Sequence, residues 1–200
     1  MSTYNYWEKL TPDAIKARVF EALEQNVDYK KQTILGIPAS YLDDKVFSQE
    51  ETFLKNAPFI STMVQNPNHI GCHTLGTSEP FFKGTQAIEQ EVIELCATDI
   101  LKAPPKTIDG YIASGGTEAN IQAIWIYRNY YQQEHHAPSE QIAILCSEDS
   151  HYSMDKAANL LGIAVYKVNV HNANRSIDTT SLEHQLHHAV SQGKKYFIVI

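Results

Sequence analysis

The stretch Ile142-Ala143-Ile144-Leu145-Cys146-Ser147-Glu148-Asp149-Ser150-His151 decides the fold. Its first five residues are apolar without interruption. That is the texture of a strand buried on both faces, not of one alternating between core and water. Polar residues end the run at Ser147, and Ser150 can cap a helix that stops at Gly162. Ile163 to Val170 reads as a second strand, Asp178 to Gln192 as a helix closed by Gly193, and Tyr196-Phe197-Ile198-Val199-Ile200 as a third strand. Strands alternating with helices of this length form βαβ units. The expected class is α/β, with a mostly parallel sheet and helices on both faces.

Upstream, Gly110-Tyr111-Ile112-Ala113 reads as a strand, Ser114-Gly115-Gly116 as a turn, and Thr117 to about Gln133 as a long helix. Thr85 is placed to cap a helix with the apolar stripe Ile88, Val92, Leu95, Cys96 and Ile100. Residues 66–84 contain Gly71, Gly76, Gly84, Pro67 and Pro80, so they read as a long irregular loop of the kind that often carries function. Ser48-Gln49-Glu50-Glu51 forms a capping box for a short helix through Phe53 and Leu54, and Lys31 to Lys45 reads as a loop. Thr11-Pro12-Asp13 opens a helix carrying Ile15, Val19, Phe20 and Leu23. The expected organisation is a helical N-terminal arm and loop segment over 1–84, then the first part of a larger α/β domain over 85–200. Because the chain ends inside the apolar run at Ile200, the sheet is expected to continue and the fold to be incomplete at its C-terminal side.

A net charge of −7 argues against nucleic-acid or anionic-membrane partners, which require a basic face. No apolar run is long enough to span a bilayer, and the first residues lack a basic stretch followed by an apolar one. Cys72, Cys96 and Cys146 lack CxxC spacing, so neither a disulfide framework nor a structural zinc is expected; a reducing, cytoplasmic setting is.

Two motifs carry chemistry. Ser114-Gly115-Gly116-Thr117-Glu118-Ala119-Asn120 lies at the start of a helix, where glycines allow close backbone approach and free N–H groups favour an anion such as phosphate. The plainer reading is a tight turn with an ordinary helix cap. The motif is neither a Walker A loop nor GxGxxG. Ser147-Glu148-Asp149-Ser150-His151-Tyr152-Ser153 follows the buried strand, at the carboxyl edge where ligands of open parallel sheets bind. The flat imidazole of His151 suits stacking on an aromatic ring; the plainer reading is a surface or capping histidine. The motifs sit on consecutive turns of one unit, so they are expected to meet in space.

The stretch Gly110 to Asn120 resembles the phosphate-binding turn of the group II pyridoxal-5′-phosphate (PLP) amino-acid decarboxylases, which act on histidine, glutamate, aspartate or aromatic amino acids. Ser150-His151-Tyr152-Ser153, with Lys156-Ala157-Ala158 and Leu161-Gly162-Ile163, resembles the family segment whose histidine stacks on the pyridine ring. Gly84-Thr85-Gln86-Ala87-Ile88-Glu89-Gln90-Glu91-Val92-Ile93 resembles the helix before the phosphate turn, and Ile177-Asp178 also fits. The resemblance covers about residues 34 to 200. It implies a fold-type I PLP-dependent transferase-like architecture and loss of CO₂ from an amino acid, with electrons drawn into the cofactor ring. It also implies a homodimer acting on a small-molecule substrate. Gly115, Gly116 and Thr117 would hold the PLP phosphate, and His151 would stack on the ring and help position or protonate the reacting atoms. In Asn68-His69-Ile70-Gly71-Cys72-His73-Thr74, His73 and Thr74 would shape the substrate pocket. The family's Schiff-base lysine and its aspartate for the ring nitrogen have no match in these residues, and Lys156 does not fit the lysine motif. These residues alone are therefore expected to be inactive. The alternatives are a PLP-dependent aldehyde-lyase of the sphingosine-phosphate lyase type, which shares the Ser-Gly-Gly-Thr-Glu turn, and a non-catalytic phosphate-binding module.

Other groups read as structural. His184, His187 and His188 share a helix without an acidic or cysteine partner and read as a solvated face, so no metal is expected. His135 and His136 read as loop. Trp125, Tyr127, Tyr130 and Tyr131 lack interleaved Lys or Arg and read as packing residues. Cys146 reads as a small core residue.

Overall fold

Ile142, Ala143, Ile144, Leu145 and Cys146 are all buried, as a strand covered on both faces requires. In the computed structural model, which describes residues 9–27, 52–65, 82–104 and 106–200, they form strand β1 (Ile142–Ser147). Among the described residues β1 is the centre of a three-stranded sheet, between β2 (Ala164–Val168) and β3 (Tyr196–Val199), and both pairings are parallel. The register sets Ile144 opposite Val165 on one side and Ile198 on the other.

Helices cover both faces, as expected. Helix α4 (Gly116–His135) precedes β1, and α5 (Ser153–Leu161) joins β1 to β2. Ile124 of α4 and Met154, Ala157 and Ala158 of α5 pack with Ile142, Ile144, Cys146 and Ile198 in one apolar core. Helix α6 (Thr179–Ser191) joins β2 to β3 and packs on β1 and β2. Right-handed crossovers explain the arrangement: β2 and β3 lie on opposite sides of β1, so the α5 and α6 connections fall on opposite faces. Local signals set the helix ends. The Asp178 carboxylate accepts from the N–H groups of Thr180 (2.9 Å) and Ser181 (3.2 Å), and Gly162 ends α5 in the left-handed region at φ 65°.

The chain divides into two compact units, residues 1–112 and 113–200. The first unit takes in α3 (Lys83–Leu95), which packs on α1 (Pro12–Gln25). Arg18 of α1 pairs with Glu91 of α3. As expected, α1 opens with Thr11, whose hydroxyl accepts from the Ala14 N–H at 3.2 Å. The start of α3 is capped from a distance, not by Thr85. The Asn26 side chain accepts from the Gly84 N–H at 2.8 Å and the Thr85 N–H at 3.3 Å, and donates to the Thr85 hydroxyl at 3.2 Å. A π-turn over Cys96–Ile100 then extends α3. Phe53 and Leu54 lie in a 3₁₀ turn, Thr52–Asn56, which precedes α2 (Pro58–Gln65), a helix not anticipated from the sequence. The capping box at 48–51, the loop at 31–45 and residues 66–81 of the loop expected over 66–84 lie outside the described residues, while Lys83 and Gly84 at its end belong to α3.

Two expectations are corrected. Gly110 to Ala113 is not a strand: the Ile112 N–H donates to the Glu89 side chain at 2.7 Å instead of to a neighbouring strand. Ser150 does not cap α5, which starts at Ser153: the Ser150 N–H closes a turn onto the Ser147 carbonyl at 3.0 Å. No helix among the described residues is long and apolar enough to cross a membrane.

Gly84 marks the closest approach in the first unit. A Cβ there would fall within the van der Waals radius of the Ala22 carbonyl, which is backbone and cannot turn aside. Gly84→Ala is expected to destabilise this unit by about 1–3 kcal/mol, the usual cost of forcing a methyl into packed structure. Chemical denaturation followed by circular dichroism measures it.

Candidate functional site

The second unit brings its two motifs together at the carboxyl edge of β1. The end of α4 carrying Gly116 and the end of α5 carrying Ser153 are joined by a hydrogen bond from the Asn120 side-chain amide to the Ser153 hydroxyl, 2.8 Å long. Ser153 is fully buried. Its hydroxyl lies 2.9 Å from Nδ1 of His151, and its backbone N–H donates to that nitrogen at 3.2 Å. A continuous chain Asn120–Ser153–His151 therefore links the glycine turn to the imidazole. The strand order reverses at β1, and it is at such switch points that open parallel sheets bind ligands.

The turn itself is exposed. Gly115, not Thr117, is the N-cap of α4; it is extended, with φ −179°. Glu118 ties the turn from within by accepting from both the N–H (3.0 Å) and the hydroxyl of Ser114. A Cβ at Gly115 or at Gly116 would meet nothing within 4 Å. Neither residue has a positive φ, so among the described residues neither packing nor backbone conformation requires a glycine here, and the turn leaves room for a group close to the backbone. The donors at this end of α4 suit an anion, and the flat ring of His151 suits a planar aromatic. Together they fit a phosphorylated aromatic cofactor.

The loop bearing His151 is fastened from below. Glu148 extends the β1–β2 pairing by donating its N–H to the Val168 carbonyl at 2.8 Å, and its carboxylate accepts from the Val170 N–H at 3.3 Å. Arg175 forks onto Asp149 through two nitrogens and stands 3.8 Å from Glu148. It does so from a left-handed backbone, φ 57°, a conformation costing a non-glycine residue roughly 1–2 kcal/mol. The hydrogen bond and charge of Arg175 hold the Asp149 carboxyl below the usual carboxylate range. Sequence reasoning missed this clamp: nothing local marks Arg175 as the partner of a residue 26 positions earlier. The Tyr152 ring lies tilted by 40° against the imidazole of His151, ring centres 4.1 Å apart, so a further planar group would have to use the opposite face.

Of the residues expected to form a site, Gly115, Gly116, Thr117 and His151 share this edge, whereas His73 and Thr74 lie outside the described residues. Cys146 is core. Tyr131 packs against that core, but Trp125, Tyr127 and Tyr130 are exposed on this chain. His188 meets the Tyr166 ring edge-on, with His184 at 6.4 Å between ring centres.

The second unit is an α/β unit with a parallel sheet, and the glycine turn and His151 share the carboxyl edge of its central strand. No family model matches the chain. It is 45% identical over 195 residues to a tryptophan decarboxylase of Clostridium sporogenes, covering 98% of this chain and 47% of that protein. It is 29% identical over 167 residues to a probable L-tyrosine/L-aspartate decarboxylase of Methanosarcina barkeri, covering 72% and 41%. Among solved structures it is similar to mouse CSAD, with TM-score 0.42, 18% identity, and 94% of this chain and 49% of that chain covered. The chain is thus similar to amino-acid decarboxylases and spans about half the length of the curated relatives it matches.

Because Asp149 is held low, the Arg175 pair adds stability above the unfolded value of about pH 4 and loses it as pH falls through the lower folded value. In Arg175→Gln that acid-sensitive contribution should be missing. Thermal midpoints recorded from neutral pH down to about pH 2 should then fall less steeply for the variant than for the parent.

Proposed function

We propose that the full-length protein is a PLP-dependent amino-acid decarboxylase of group II, built on fold type I, and that this chain supplies the phosphate cradle and the ring-stacking face of its active site. The observation that carries the reading is the hydrogen-bonded link between the glycine turn and His151, at the edge where the fold binds ligands. Similarity to a tryptophan decarboxylase over nearly the whole chain supports the reaction class.

The phosphate would be held by backbone N–H groups at Gly115 and Gly116, at the positive end of α4, with the hydroxyl of Thr117 beside them. His151 would lie against the pyridine ring, fixing its plane. PLP, when bound, supplies the electron sink that takes up the pair left as CO₂ departs. The protein's share is orientation: the bond to be broken must stand perpendicular to the ring, and a rigid edge secured by β1 and the Arg175 clamp sets that angle. Residues 85–200 are read as the first part of the PLP domain. Residues 73 and 74 remain assigned to the substrate pocket, and the functional form is read as a homodimer in the cytoplasm.

A similar protein is named a tryptophan decarboxylase, so tryptophan heads the substrate panel, followed by tyrosine, aspartate and glutamate. The full-length protein with PLP should release CO₂ from at least one of them. Release of an aldehyde from a phosphorylated amino alcohol instead would establish the aldehyde-lyase, and no turnover together with no PLP binding would overturn both readings. Gly116→Val places a branched side chain in the cradle without touching the chain's own packing. The affinity for PLP should drop at least tenfold, with the unfolding midpoint nearly unchanged; fluorescence titration with the cofactor reads it.

A further inference from the structure

We propose that Asn120 and Ser153 act as a one-way hydrogen-bond relay that positions His151 with its ring hydrogen on Nε2. The proposal rests on the reading of His151 as the ring-stacking residue, and it assigns a positioning role to two residues outside the cofactor cradle.

The polarity follows from one donor that cannot be rearranged. A side-chain amide can flip and a hydroxyl can rotate, but the backbone N–H of Ser153 is fixed, and it points at Nδ1 of His151 at 3.2 Å. Nδ1 must therefore present a lone pair. The Ser153 hydroxyl, 2.9 Å away, must donate to the same lone pair, since a hydrogen on Nδ1 would be forced against the backbone N–H. With its hydrogen so committed, the Ser153 oxygen is an acceptor toward Asn120, which fixes the Asn120 side chain with its NH₂ inward at 2.8 Å. Every hydrogen runs the same way, Asn120 to Ser153 to Nδ1, which leaves Nε2 as the nitrogen that bears a hydrogen in the neutral ring.

Burial raises the stakes. Ser153 is completely enclosed, so its hydroxyl has no water to fall back on, and a wrongly directed bond would leave a buried polar group unmatched. The same contact satisfies one of the unmatched N–H groups at the start of α5, which has no side-chain cap of the usual kind. The imidazole is thereby held in one plane and one tautomer before any ligand arrives.

The test uses the full-length protein carrying ¹⁵N-labelled histidine, with the His151 signals assigned by His151→Gln. Spectra are taken at about pH 8, above the ordinary histidine range. In the parent protein Nε2 should resonate as a protonated nitrogen and Nδ1 as an unprotonated one. Asn120→Asp keeps the shape but replaces the donor with a carboxylate. The Ser153 hydroxyl should then turn toward the carboxylate, leaving Nδ1 to accept from the backbone N–H alone, so the Nδ1 resonance should move further from the protonated range while Nε2 stays protonated. A residue that merely fills space would not produce that shift. If Asn120→Asp fails to fold, Ser153→Ala must displace the Nδ1 resonance, and Ser153→Thr, which restores the hydroxyl, must bring it back. A protonated Nδ1 in the parent, or variants whose ring nitrogens do not move, would overturn the relay. The spectra need no cofactor, so titrating PLP into the same samples separates the two ideas. Binding of PLP with immobile nitrogen signals defeats the relay alone, and a responsive relay without PLP binding defeats the decarboxylase reading alone.

Discussion

The burial of β1 on both faces constrains everything else in the second unit. A strand with five consecutive enclosed residues must be flanked by strands on both sides and roofed by helices above and below. Given right-handed crossovers, the connections on either side of β1 then run over opposite faces. The chain leaving the carboxyl end of β1 is left in a crevice that neither connection fills, and His151 stands on that chain.

The second level is polar. Apolar packing brings α4 and α5 side by side, but it says little about rotation of either helix at its end. The Asn120–Ser153 hydrogen bond supplies that definition inside a buried setting, where an unmatched donor costs about 1–3 kcal/mol. Outside, in water, the Arg175–Asp149 pair is worth much less as stability. Its importance lies in geometry: a forked guanidinium fixes direction as well as distance, and it pins the segment just before His151.

Glycine serves opposite ends in the two units. Gly84 is required because the Ala22 carbonyl occupies the space where a side chain would go. At Gly115 and Gly116 an added Cβ would meet nothing within 4 Å among the described residues, so their smallness opens outward, toward whatever approaches the turn. The same residue type thus marks an internal contact in one place and an external one in the other.

The amino-acid sequence by itself determined what depends on neighbours along the chain. The uniform apolar run at 142–146, the Asp178 cap, the Gly162 stop and the order of strands and helices from α4 onward were all legible, because propensity, capping and periodicity act over a few residues. So was the expectation that the glycine turn and His151 share one sheet edge, since that follows from alternating strands and helices. Tertiary structure alone decided the rest. Asn26 rather than Thr85 caps α3, Gly110 to Ala113 gives its amide to Glu89 rather than to a strand, and Arg175 reaches back to Asp149. Each of these pairs residues far apart in sequence, and a side chain's distant partner leaves no mark in the residues beside it. The direction of the Asn120–Ser153–His151 relay belongs to the same class, because it was set by a backbone N–H whose orientation exists only once α5 has formed.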